Sequence, residues 1–155
     1  MEPLPFMAPV VIVGGIYLMM RRYRLERARN APLRAEIAAQ VRLATPLDRV
    51  SKLGTGGFGG TRGYWIPVRG PKRLVVGADS FMISAPQALR EYVFTGRDSA
   101  IALSRMRCGL ADRDWIIVTG TVGGREVQLA ITKRDGLSAI WQALAGAGVA
   151  PASAP

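Results

Sequence analysis

Leu4 to Met20 contains no charged residue, and Arg21, Arg22 and Arg24 follow as soon as the apolar run stops. A run of roughly 17 residues is at the lower limit for crossing a hydrocarbon core about 30 Å thick, because a helix rises about 1.5 Å per residue. The pattern predicts a single transmembrane helix that continues as a basic juxtamembrane helix to Arg29, with Tyr17 and Tyr23 at headgroup depth. Pro5 and Pro9 fall in its outer half, and Pro9 is the expected start of the regular helix. A secretory signal peptide would carry its basic segment before the run, not after it. A buried core helix is the other reading, and Gly14-Gly15 would suit its close packing. The excess of arginine after the run, with Glu2 alone before it, places the N-terminus outside and the remainder in the cytoplasm of a single-pass plasma-membrane protein.

Beyond the anchor the period changes twice. Asn30-Ala31-Pro32 reads as a cap and first turn, and Leu33, Ile37 and Val41 then form one stripe of a short amphipathic helix reaching about Leu43. Thr45-Pro46-Leu47-Asp48 supplies a cap, a proline and an acid, which predicts one more helical turn to Lys52. From Tyr64 the texture is that of strands: 64–68, 73–77, 81–84, 91–95, 100–104, 115–122 and 126–132 are short β-branched or aromatic runs. Turn signals separate them, including Arg69-Gly70-Pro71, Ala85-Pro86-Gln87, Ala111-Asp112-Arg113-Asp114 and Gly123-Gly124. Such spacing predicts a small antiparallel barrel or sandwich, with Gly123-Gly124 as a two-residue hairpin turn. Asp135 then caps a helix whose Leu137, Ile140, Trp141 and Leu144 share one face, ending at Gly146 or Gly148, with Val149 tucked back on the core. The tail from Ala150 has little to bury and reads as disordered.

The boundaries that follow are 1–29 for the anchor and basic helix, 30–62 for the amphipathic helix and a glycine-rich linker, 63–149 for the β domain with its helix, and 150–155 for the tail. With 155 residues the chain has room for one domain of about 100 residues behind the anchor. The net charge of +10 raises nucleic acid as a partner, but about half of the excess lies between Arg21 and Arg49, where topology accounts for it. Nucleic acid is therefore not the expected partner, and anionic lipid at the inner leaflet is.

Histidine is absent and Cys108 stands alone, which removes the common zinc sites, the Ser-His-Asp triad and the Cys-His pair. Gly54, Gly56 and Gly59 with Phe58 match the spacing of a protein-kinase phosphate loop. The rest of a kinase is missing, however, and a flexible linker is the better reading. Asp112 and Asp114 flank Arg113 without the glycine and glutamate of a calcium loop, so turn chemistry explains them. Ser80 and Ser99 lack a base to activate them. Trp115 and Trp141 fall on apolar faces and read as core; Trp65 is left open. Arg105, Arg107, Arg113, Arg125, Lys133 and Arg134 at the later strand ends read as solvated surface, with a convergent anion-binding edge as the alternative. No catalytic residue, metal ligand or cofactor is expected.

Arg73-Leu74-Val75-Val76, Asp79 to Ser84, Trp115 to Ile131 and the helix ending Ala145-Gly146-Ala147-Gly148-Val149 together resemble the pleckstrin-homology-like (PH-like) superfold. The similarity is to the bacterial PH-like and GRAM-like domains that single-span actinobacterial membrane proteins place behind an N-terminal anchor. It implies a mainly-β barrel capped by a C-terminal helix, behind a transmembrane helix, and a non-enzymatic binding or scaffold role. It further implies that Arg69, Lys72 and Arg73, in the first such loop, are the basic residues nearest to a headgroup or partner site, while Arg21, Arg22, Arg24 and Arg27 flank the membrane. The ligand would be anionic lipid or a membrane-protein partner. The alternative role is an accessory subunit of a transporter or envelope complex, held mainly through the anchor helix.

Overall fold

Alternate burial of Thr45 and Leu47, followed by Val50, starts the β structure earlier than the sequence pattern suggests. The structure is a computed structural model that describes residues 7–54, 64–108 and 110–152. Strands β1 (Leu43–Leu47) and β2 (Arg49–Gly54) are parted by Asp48 alone, so one extended segment turns a corner and serves two sheets. The next segment turns in the same way, from β3 (Tyr64–Pro67) to β4 (Lys72–Val76). The first sheet runs β1-β4-β5-β6, with β5 at Ser80–Ala85 and β6 at Arg90–Thr95, all antiparallel. The second runs β10-β7-β8-β9-β2-β3, with β7 at Ser99–Cys108, β8 at Ala111–Val122, β9 at Arg125–Thr132 and β10 at Ala150–Pro151.

One core lies between the sheets. Leu74, Val76, Phe81, Ile83 and Phe94 come from the first, and Val50, Ile116, Val118, Leu129 and Ile131 from the second. Phe81 and Phe94 are cross-strand partners whose rings stack at 4.9 Å, the kind of pair that fixes strand register. Helix α3 (Leu137–Gly146) adds Ile140 and Leu144 to the same core, and Val149 returns to it.

The runs expected between Tyr64 and Thr132 are all strands, and Gly123-Gly124 is the turn between β8 and β9, at φ of +59° and +77°. Several local expectations are overturned. Residues 45–52 form β1 and β2 instead of a helical turn; Pro46 is tolerated because β1 is an edge strand and needs no second ladder. Asp112 to Asp114 belong to β8, opposite Arg107, Met106 and Arg105, where alternating opposite charges extend the β7–β8 pairing past the core. Gly136, at φ +96°, occupies the N-cap position of α3 in place of Asp135. Ala150 and Pro151 pair with Ala100 and Ile101, and Ala152 donates its N–H to the Ile101 carbonyl, so the tail begins as a strand.

At the N-terminal side, α1 (Met7–Arg29) and α2 (Ala31–Ala39) form a helical hairpin against β5 and β6. Pro32 sits in the first turn of α2, but the Asn30 side chain makes no capping bond. Ile37 is buried, whereas Val41, outside the helix, is exposed. Arg34 Nε lies 3.4 Å from Glu91 Oε1, and the Glu91 side chain is 4% exposed. That ion pair ties α2 to β6 without ideal hydrogen-bond geometry at either atom. Glu91→Gln leaves Arg34 without its counter-charge, and a loss of about 1–3 kcal/mol is expected in urea unfolding.

The transmembrane expectation is not met. Within α1 the uncharged stretch is Met7 to Met20, about 21 Å at about 1.5 Å per residue, after which Arg21, Arg22, Arg24 and Glu26 continue the same helix. No helix among the described residues is long and apolar enough to cross a membrane. The transmembrane helix, the single-pass topology and the plasma-membrane placement with an outside N-terminus are all corrected by this. Leu4 to Phe6, the linker glycines of 55–63 and residues 153–155 lie outside the described residues.

Candidate anion-binding surface

Residues that are distant in sequence meet where the second half of α1 leans on the β domain. Tyr23 and Glu26, with Asn30 just past its end, form its half-buried stripe, while Val10 to Arg22 are exposed on every side. Lys52 stands on β2 between Leu129 of β9 and Ile66 of β3. Arg90 opens β6 after a tight 3-10 turn at Pro86–Ala88, in which Leu89 takes the left-handed φ of +50°. Arg125 opens β9 directly after the Gly123-Gly124 turn. Each strand start is set by a turn, so the turns aim the cations.

Their fields converge on Lys52. Burial lowers its ammonium pKa below the ordinary 10.5, and Arg90, Arg22 and Arg125 lower it further, while Glu26 acts the other way. Glu26 is itself held by Arg22 at 3.0 Å, so four cations share one carboxylate. Burial also pushes the Tyr92 phenol up, with Arg90 opposing and Glu26 reinforcing. Lys52 is half-buried and the three arginines that act on it are exposed, so an anion at this surface would relieve the Lys52 charge.

No family model and no characterised protein matches this chain.

The residues singled out from sequence are dispersed. Arg69 and Arg73 are exposed on the turn before β4 and on β4 itself. Lys72 is half-buried and points to the opposite face from Arg73, into a cavity beside Trp65. None of the three is among the charges acting on Lys52. Arg21 and Arg24 line a shallow groove on α1 with Tyr17, Met20 and Leu25, and Arg27 is exposed near its end. The later cations are scattered, with Arg107 beside the Trp65 cavity and Arg105 near Leu137 and Trp141. Arg113, Lys133 and Arg134 gather near Asp48 and Asp135, whereas Arg125 belongs to the Lys52 cluster. Ser99 donates its hydroxyl to the Thr95 carbonyl at 2.8 Å, which is turn chemistry. Among the described residues no three His, Cys, Asp or Glu side chains come together.

Lys52, Arg90 and Arg125 went unrecognised in the sequence because each lies in a different strand. The one local signal was that Arg125 directly follows the Gly123-Gly124 turn. The depressed pKa carries a test. The unfolded chain binds the Lys52 proton more tightly, so between the lowered folded-state pKa and 10.5 this group's contribution to stability rises with pH. Below that window the cost of its charge is present in full. Lys52→Met is expected to raise the thermal midpoint at pH 7, with the gain shrinking as pH approaches 10.5; paired melts of the two proteins across pH measure it.

Proposed function

We propose that the chain is a non-enzymatic binding module, a PH-like barrel that docks on an anionic lipid surface through the Lys52, Arg90, Arg125 and Arg22 cluster. The supporting observation is that the exposed apolar first half of α1 runs on in the same helix into Arg22, which acts on Lys52 with Arg90 and Arg125. Val10, Ile12, Ile16, Tyr17 and Leu18 are each more than half exposed, which is costly in water and favourable in an acyl interface. At about 21 Å the apolar half enters such an interface without crossing its hydrocarbon, about 30 Å thick. Arg21, Arg22 and Arg24 then lie at headgroup level, each contributing about 1 kcal/mol near an anionic surface. The strand order supports the PH-like reading, since two corner-turning segments join both sheets and a C-terminal helix closes the core.

A second reading, an accessory subunit held through α1, is favoured by the distribution of its apolar residues. They surround the helix instead of forming one face, and a Cβ on Gly14 or Gly15 would meet nothing within 4 Å, leaving room for a partner helix. Vesicle co-sedimentation separates the two. Anionic-lipid dependence supports docking on lipid, and a chain that ignores vesicles but loses its co-purifying partner on Gly14→Leu with Gly15→Leu supports the assembly role.

A further inference from the structure

The cavity that Lys72 enters beside Trp65, of about 470 Å³, lies at the corner where the chain passes from β1 to β2, across from the β7–β8 hairpin. Trp65, Trp115, Met106 and Val68 give it an apolar wall, and its size is that of a small-molecule site. Arg49, Lys72 and Arg107 line it as well. Among the described residues no carboxylate lies within ion-pair distance of these three cations. Asp48, the acid at the rim, already accepts the backbone N–H of Arg134. Trp115 is 4% exposed, yet its Nε1–H has no acceptor among the described residues. Buried indole N–H groups ordinarily find a partner. That nitrogen is sealed from the cavity, so the guest is described by the three cations and the apolar wall.

We infer that this cavity binds an organic anion, a carboxylate or phosphate carried on an acyl or aryl body. The body packs on the two indoles and Met106, and the head meets Arg49, Lys72 and Arg107. The site is independent of the Lys52 cluster, because none of these cations acts on Lys52.

Cys108 lines the same cavity and is the chain's single cysteine, which makes it a local reporter. In the intact chain, the rate of Cys108 alkylation by iodoacetamide is measured by mass spectrometry against decanoate, decanol and inorganic phosphate, all below micellar concentration. Saturable protection by decanoate is expected, with decanol at least tenfold weaker and phosphate alone giving none, since one lacks the head and the other the body. Arg49→Gln with Arg107→Gln should weaken decanoate protection about 10- to 100-fold, the usual effect of losing charge-assisted hydrogen bonds. Ile12→Ser with Ile16→Ser, on α1, should leave protection unchanged. Equal protection by decanol, protection by phosphate alone, no protection by decanoate, or protection that vanishes with the α1 variant would each overturn the inference. So would full protection in the Arg49/Arg107 variant.

Discussion

Gly96→Ala is expected to lower the thermal midpoint by about 10–20 °C, although the substitution adds a single methyl group. An ideal Cβ at Gly96 would stand 1.7 Å from the carbonyl oxygen of Ala147 and 2.8 Å from its carbon. Neither side of that clash can give easily. Gly96 donates its N–H to the Asp79 carbonyl at 2.7 Å, and Ala147 is held at the end of α3 by bonds to the Ala143 and Leu144 carbonyls. The methyl therefore pushes α3 outward, and with it Ile140 and Leu144, both fully buried in the core. Overpacking costs about 1–3 kcal/mol and more when backbone is the obstacle; a domain of this size loses about 4–8 °C per kcal/mol. Gly146→Ala is the matched control. Its Cβ would meet Arg42 Nη1 alone, at 3.7 Å, and alanine is the better helix former, so the midpoint should hold or rise slightly.

The combined substitution Lys52→Gln, Arg90→Gln and Arg125→Gln is expected to weaken binding to anionic vesicles about 100-fold and to stabilise the fold. Each cation near an anionic surface contributes about 1 kcal/mol, so three account for about two orders of magnitude. Stability moves the other way because the three charges repel one another at Lys52. A merely structural role would move both quantities down together. Opposite signs are the mark of residues kept for a ligand at some cost to the folded chain.

The β domain was legible where period and turn chemistry agreed. The runs from Tyr64 to Thr132, the Gly123-Gly124 turn and the Ile140/Leu144 face of α3 all follow from local pattern. Thr45-Pro46-Leu47-Asp48 misled because it carries helix-start residues, while long-range pairing with β4 and the burial of Thr45 and Leu47 decided for strand. Asp112 to Asp114 resembled a turn because charge dominates there, yet facing arginines on β7 make it a strand. At the N-terminus, hydropathy pointed to a crossing helix, but within α1 the arginines arrive too soon after Met7. The site was the least legible part. Lys52, Arg90 and Arg125 come from three strands, and only the two-sheet topology brings them beside Arg22.

Co-sedimentation of the intact chain with vesicles, over a salt series and with neutral or anionic lipid, decides whether the surface around α1 and Lys52 docks on lipid. The expected result is binding to anionic vesicles that falls steeply with salt, little binding to neutral ones, and loss of the anionic preference in the Lys52/Arg90/Arg125 variant. Equal, salt-insensitive binding to both lipids, or an unchanged preference in that variant, would contradict it.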